Sequence, residues 1–173
     1  VPSVFVAAGS NVRPEEHLSL ALSEIERIYA PLRVSPAYRN RAVGFEGDDF
    51  INLVVGFDTE EPIERVRERL QAVEAACGRP PDAPRWAPRT MDLDILLYGD
   101  RVSDQPGLVT PRPDLVRRPY MLKPMVDLAP DLVHPTLGKT MKALWSELDT
   151  GDHEMSPVTI PRSGLHPPPG SGR

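Results

Sequence analysis

The chain has 173 residues, enough for one domain with an ordinary core. Its 25 acidic residues against 20 Lys and Arg leave a net charge of −5, which argues against a general nucleic-acid binder. No apolar run approaches the roughly 20 residues of a membrane span, and the N-terminus lacks a basic-then-apolar leader pattern. The single cysteine, Cys77, excludes an intrachain disulfide and suits a reducing compartment, so a cytoplasmic location is expected.

In chain order, Ser3 to Ala8 reads as a short apolar strand ended by Gly9. Pro14-Glu15-Glu16 opens a helix, with proline in the first turn and acids complementing the dipole. Leu18, Leu22, Ile25 and Tyr29 give its buried stripe. Leu32 to Arg39 reads as a second strand that Pro36 demotes towards an edge. A loop with two glycines follows over Asn40 to Asp48, then a third strand over Asp49 to Asp58. Thr59-Glu60-Glu61-Pro62 starts a second helix with an inward stripe of Ile63, Val66, Leu70 and Val73, which Gly78 terminates. A Pro/Asp/Arg loop leads into a strand at Asp92–Asp94. Residues 100–148 add a loop, a short helix near Pro119–Asp127 and an amphipathic segment around Lys139–Leu148. From Asp149 the chain is rich in Pro, Gly and Ser, so a domain over 1–148 and a flexible tail over 149–173 are expected. The four histidines lack metal-ligand spacing and read as surface residues, and Cys77 reads as a part-buried residue near a helix end.

The order β-α-β-β-α-β is that of a ferredoxin-like α+β sandwich: an antiparallel sheet, two helices on one face, and C-terminal helical additions. Strand parity makes the other face a ligand floor. Ile51, Leu53, Val55 and Phe57 take the core side of the third strand, leaving Phe50 and Asn52 opposite. In the fourth strand Met91, Leu93, Ile95 and Leu97 point to the core, while Asp92 and Asp94 share the other side, about 7 Å apart at roughly 3.3 Å per residue.

Two carboxylates so placed need a positive partner. Divalent hard cations supply it, because Mg²⁺ takes one or two carboxylates together with phosphate oxygens. The arginines of Arg85-Trp86-Ala87-Pro88-Arg89-Thr90 suit phosphate as well, so a nucleoside triphosphate with magnesium is expected. The bland alternative is a solvated edge strand with arginine salt-bridge partners. A nucleotidyltransferase arrangement fits poorly, since Gly9-Ser10 lies far upstream of Asp92.

The run Arg85-Trp86-x-Pro88-Arg89-Thr90-x-Asp92-Leu93-Asp94-Ile95-Leu96-Leu97-Tyr98-Gly99 resembles the signature of the 6-hydroxymethyl-7,8-dihydropterin pyrophosphokinases of folate biosynthesis. Gly9-Ser10-Asn11, the segment Asp49 to Val55, Arg118 to Met125 and Leu128-Ala129-Pro130 agree in order, and the likeness covers roughly residues 3–148. It implies transfer of pyrophosphate from ATP to the pterin hydroxymethyl group, with release of AMP. Asp92 and Asp94 are then expected to hold two Mg²⁺ ions with ATP, and Asp94 to help orient the attacking oxygen. Arg79 and Arg89 match catalytic phosphate-contacting positions. Gln71, Glu74, Trp86, Arg89, Ile95, Arg112 and Arg118 match nucleotide-facing positions, and Trp86 belongs to a loop that closes over the site. Asn40, Val43, Phe50, Asn52 and Tyr120 match pterin positions, with Asn52 on the ring edge and the two aromatics beside the ring. A monomer without nucleic-acid or membrane partners is expected.

Three departures accompany the resemblance. Arg112 stands where many members have His, a permanent charge with longer reach. The loop Arg79-Pro80-Pro81-Asp82-Ala83-Pro84 lacks basic residues that some members place there, and Arg41-Ala42 replaces prolines. Two other classes of function compete with this one: a degenerate binding module, and a ferredoxin-like RNA binder. The second would expose aromatics amid basic charge on the open face, where this sheet carries carboxylates.

Overall fold

The computed structural model describes residues 1–40, 49–78, 91–151 and 154–161. Its elements are β1 (Ser3–Ser10), α1 (Pro14–Tyr29), β2 (Arg33–Val34), β3 (Ala37–Asn40), β4 (Phe50–Asp58), α2 (Ile63–Ala76) and β5 (Asp92–Tyr98). A 3-10 turn (Pro113–Val116), α3 (Pro119–Leu128), α4 (Met141–Glu147) and β6 (Met155–Val158) complete the described fold. The sheet has six strands in the order β5-β1-β4-β3-β6, with β2 also on β4, and every pairing is antiparallel. This is the ferredoxin-like α+β architecture expected, with an added edge strand.

The helix-covered face follows from the two periodicities. Leu18, Leu22, Ile25 and Tyr29 of α1 and Val66, Leu70 and Val73 of α2 pack against Val4, Val6, Ala8, Ile51, Leu53, Val55 and Phe57. Leu18, Leu22 and Ile25 are at most 1% exposed, each worth about 1.5–3 kcal/mol of burial. The rings of Tyr29 and Phe57 stack with centroids 4.1 Å apart. The Tyr29 hydroxyl donates to Glu61 Oε1 at 2.6 Å and Arg69 Nε to Oε2 at 2.9 Å, tying α1 to the start of α2.

The second face is half covered. Phe5, Ala7, Val54, Leu96 and Leu97 pack under Leu115, Met121, Leu122, Met125, Met141 and Leu144 from the C-terminal elements. The Tyr38 hydroxyl donates to Asp127, which also pairs with Lys123 at 3.2 Å, so α3 is fastened over β3.

Four expectations change. Leu97 belongs to this second cluster, because β5 carries a bulge: Phe5 pairs with Leu97 and Val6 with Ile95, leaving Leu96 as the additional residue. The second strand is two, β2 and β3, broken at Ser35-Pro36. Proline has no N–H to donate to the ladder, and at the break Val54 N–H donates to the Ser35 hydroxyl at 2.8 Å. Within the expected tail, Met155–Val158 pairs with β3, where an open edge offers hydrogen bonds that composition does not reveal. Finally, His134 is 5% exposed rather than on the surface: its Nδ1 accepts from the N–H groups of Thr136 and Leu137. His17 is part-buried, with Nδ1 bonded to the Val12 carbonyl, while His153 and His166 lie outside the described residues.

Candidate active site

The middle of the second face is organised in cross-strand rows. Asp92 of β5 lies opposite Gly9 of β1, Gly9 opposite Asn52 of β4, and Asn52 opposite Tyr38 of β3. Directly paired antiparallel residues share a face, so one row carries a carboxylate, a bare backbone, an amide and a phenol. Asp94 lies in the next row opposite Ala7, and Phe50 pairs with Asn40 on the other side. The Gly9 position is set by contact: a Cβ built there would run into Asn52 Oδ1. Asn52 is 9% exposed, and the Nδ2 of buried Asn40 has no hydrogen-bond partner among the described residues. Two amides at the rim of an open floor, one with a stranded donor, are suited to the edge of a polar heterocycle.

Beside this floor, between α2 and β5, runs a cleft of about 460 Å³. Gln71 and Glu74 line it from the helix, Asp92, Asp94 and Ile95 from the strand, and Arg112 from the segment beyond. Three contacts give the cleft its shape. Glu74 Oε2 accepts from Leu93 N–H at 2.8 Å, capping the outer edge of β5. Arg112 N–H donates to the Leu96 carbonyl at 2.9 Å, extending that edge. Arg112 Nη2 stands 3.5 Å from Asp94 Oδ1, and its buried Nε has no partner among the described residues. A guanidinium thus already supplies positive charge to one of the two carboxylates.

Tyr120, at the start of α3, overlooks the same carboxylates. Burial pushes its hydroxyl above the usual phenol range; Arg118 opposes the shift, and Asp114, Asp94 and Asp92 add to it. Arg118 is exposed at the N-terminal boundary of α3 and does not line the cleft. The structure therefore gathers Asp92, Asp94, Gln71, Glu74, Ile95 and Arg112 into one cleft, and Asn40, Phe50, Asn52 and Tyr120 onto the adjoining face. Arg79, Trp86, Arg89 and Val43 lie outside the described residues.

Against known proteins, residues 5–130 match the family model of 7,8-dihydro-6-hydroxymethylpterin-pyrophosphokinase. The chain belongs to this pyrophosphokinase family. It is 40% identical over 139 residues to a 2-amino-4-hydroxy-6-hydroxymethyldihydropteridine pyrophosphokinase of Pseudomonas aeruginosa, spanning 78% of this chain and 85% of that one. To a protein of the same name from Synechocystis it is 35% identical over 147 residues, spanning 83% of this chain and 75% of that one. In fold it is similar to the wild-type HPPK-DHPS of Plasmodium falciparum, with a TM-score of 0.65 at 13% identity. That likeness covers 84% of this chain and 44% of the other, so the chain spans less than half of the longer protein.

Sequence reasoning missed Arg67, Gly107, Leu108 and Val109, which line the same cleft. One signal was available: Arg67, Gln71 and Glu74 stand at i, i+4 and i+7 and share a helix face. The segment 107–110 carried none, because its place depends on how the chain returns past β5.

Proposed function

We propose that the chain catalyses the pyrophosphokinase reaction, transferring the β,γ-pyrophosphoryl group of ATP to 6-hydroxymethyl-7,8-dihydropterin in folate biosynthesis. The cleft is the nucleotide site and the open half of the second face is the pterin site. The observation that carries this assignment is the Asp92–Gly9–Asn52 row, in which a cleft carboxylate and the floor amide stand two strand spacings apart, about 10 Å. Over that span an acceptor hydroxyl can meet a phosphate chain in line.

The donor set suits magnesium. Two carboxylates share a strand face, and the described residues hold no group of three or more His, Cys, Asp or Glu that could hold a metal ion. Such a pair leaves coordination positions that a hard cation fills with phosphate oxygens and water. Asp92 and Asp94 would hold two Mg²⁺ ions with ATP, and the ions, when bound, neutralise the phosphate charge.

The pterin hydroxyl oxygen forms a bond to the β-phosphorus as the bond to the α,β-bridging oxygen breaks. AMP leaves with that oxygen, and the hydroxyl proton is lost to solvent. Asp94 orients the attacking oxygen, and Arg112 steadies the phosphates from within the cleft, while a phosphate contact for Arg118, which lies outside it, is carried by the family resemblance alone. Gln71, Glu74 and Ile95 flank the nucleotide. Asn52 reads the pterin edge between Phe50 and Tyr120, and Asn40 adds a further contact. Arg79 and Arg89 as charge-stabilising groups, Trp86 as a closing residue and Val43 as a pterin contact are carried by the family resemblance alone. Action as a monomer is a further part of this reading, while a cytoplasmic location is supported by the single cysteine and the absence of a nucleic-acid partner by the net charge of −5. No described helix is long and apolar enough to cross a membrane.

The test is AMP release from ATP and magnesium, with and without the pterin, in wild type and Asp94→Ala. Pterin-dependent AMP from the wild type alone is expected, with the variant folded by circular dichroism. AMP release that ignores the pterin, or survives in the variant, would overturn the assignment.

A further inference from the structure

The floor of the second face does not end at β3. Asn40 lies between Phe50 of β4 and Met155 of β6, so a row Phe50–Asn40–Met155 runs beside the row Asn52–Tyr38–Pro157 on one face. The alternate residues agree: Ala37 and its partner Val158 pack, together with Ile160, into the helix-covered core. β6 is thus anchored on one face of the sheet and presents Met155 on the other. The family match ends at residue 130, and this strand lies outside it.

The type of pair sets how close Met155 comes to Asn40. Val54 N–H donates to the Ser35 hydroxyl and the Val54 carbonyl accepts from Ser35 N–H, so both backbone groups of Val54 point to the β3 side of β4. Backbone groups alternate sides along a strand, so those of Asn52 and Phe50 point there too and meet Tyr38 and Asn40. Arg39 and Ala37 then turn theirs to Ser156 and Val158 of β6. This pattern suits Pro157, which has no N–H to give its partner Tyr38. Met155 and Asn40 are therefore a non-hydrogen-bonded pair, with Cα atoms about 4.5 Å apart and side chains at their closest. Asn40 is 5% exposed although it is the last residue of β3, and its Nδ2 has no partner among the described residues. A buried donor kept dry gains most from a ligand acceptor, whereas water or a polar neighbour would compete for it. Met155 is half-buried, and its thioether offers that amide only a weak acceptor.

On the footing that the open half of the second face holds the pterin, we propose that Met155 is a positioning residue for that substrate: carried in by β6, it shields the Asn40 amide from water and keeps its donor for the pterin ring. The experiment is calorimetric binding of a non-hydrolysable Mg-ATP analogue, and of 6-hydroxymethyl-7,8-dihydropterin in its presence. It compares wild type with Met155→Ala, Met155→Gln, Met155→Leu, Ser156→Pro and Asn52→Ala. Met155→Ala admits water and Met155→Gln offers the amide a rival carbonyl, so each is expected to weaken the pterin about tenfold. Met155→Leu, apolar and of similar size, should stay within about twofold of wild type. Ser156→Pro removes the N–H that faces Arg39 and should match Met155→Ala. The nucleotide analogue should bind all four variants at 155 and 156 within about twofold of wild type. Full pterin affinity in Met155→Gln or Ser156→Pro, or equal loss of pterin and nucleotide, would overturn the inference. So would a loss in Met155→Leu as large as in Met155→Gln, since shape and not dryness would then act. If Asn52→Ala weakens the pterin while Met155→Ala and Met155→Gln do not, the role of Met155 fails and the pterin site stands. If Asn52→Ala leaves pterin binding unchanged, this face is not the pterin site, and both assignments fall together.

Discussion

Gly9 and Asn52 form one unit: the amide of Asn52 lies across the bare Cα of its cross-strand partner, where a methyl group would collide with Oδ1. Gly9→Ala is therefore expected to push the amide out of place at an overpacking cost of about 1–3 kcal/mol. The pterin dissociation constant should rise about tenfold or more, while Mg-ATP binding changes little. Titration of the two ligands separately checks this, and an equal loss of both would mean a general distortion of the sheet.

Glu74 and Gln71 line the cleft from the same helix, but only Glu74 is seen to hold the edge of β5, through Leu93 N–H. Glu74→Ala should lower unfolding stability by about 1.5–3 kcal/mol, as for a hydrogen bond to a charged acceptor. Gln71→Ala should stay within about 0.5 kcal/mol of wild type. Urea melts with unchanged slopes would measure the difference, and equal stability of the two variants would contradict the capping role.

The break between β2 and β3 depends on one hydroxyl. Ser35 Oγ accepts from Val54 N–H, Val54 is fully buried, and Ser35 N–H in turn donates to the Val54 carbonyl at 2.9 Å. Ser35→Ala strands a buried donor and should cost about 1–3 kcal/mol, and Ser35→Thr, which keeps the hydroxyl, should recover much of that stability. Chemical denaturation distinguishes this from a surface change, which would cost almost nothing.

Burial lowers the pKa of His134 below the usual value near 6.5. The geometry agrees, because Nδ1 accepts from two backbone N–H groups, and a protonated ring would turn a donor towards them. The unfolded chain then takes up a proton before the folded one. The contribution of His134 to stability is present above about 6.5 and is lost as pH falls from there through its folded value. The His134 ring resonance should titrate with a midpoint below that of a free histidine. A midpoint at or above 6.5 would contradict this.

Much of the site was written in local pattern. Period-two alternation placed Asp92 and Asp94 on one face and separated Asn52 from Ile51 and Leu53, while the 3.6-residue stripe of α2 put Leu70 inward. Those regularities are properties of the backbone, so they survive in a bare sequence. Parity failed at Leu97, where a single bulge residue shifts every later side chain, and no composition announces a bulge.

Local pattern alone was enough for the β-α-β-β-α-β order, the faces of the strands before the bulge, and the carboxylate pair with its phosphate-seeking arginines. Which residues far apart in the chain meet is a matter of three-dimensional packing. Gly9 beneath Asn52, Arg112 beside Asp94 and Arg67 against Gly107 are all contacts of that kind. Each depends on strand order, on the return of the chain past β5 and on close approach of backbones. Those quantities are set by how sheets and helices pack, and side-chain periodicity carries no record of them.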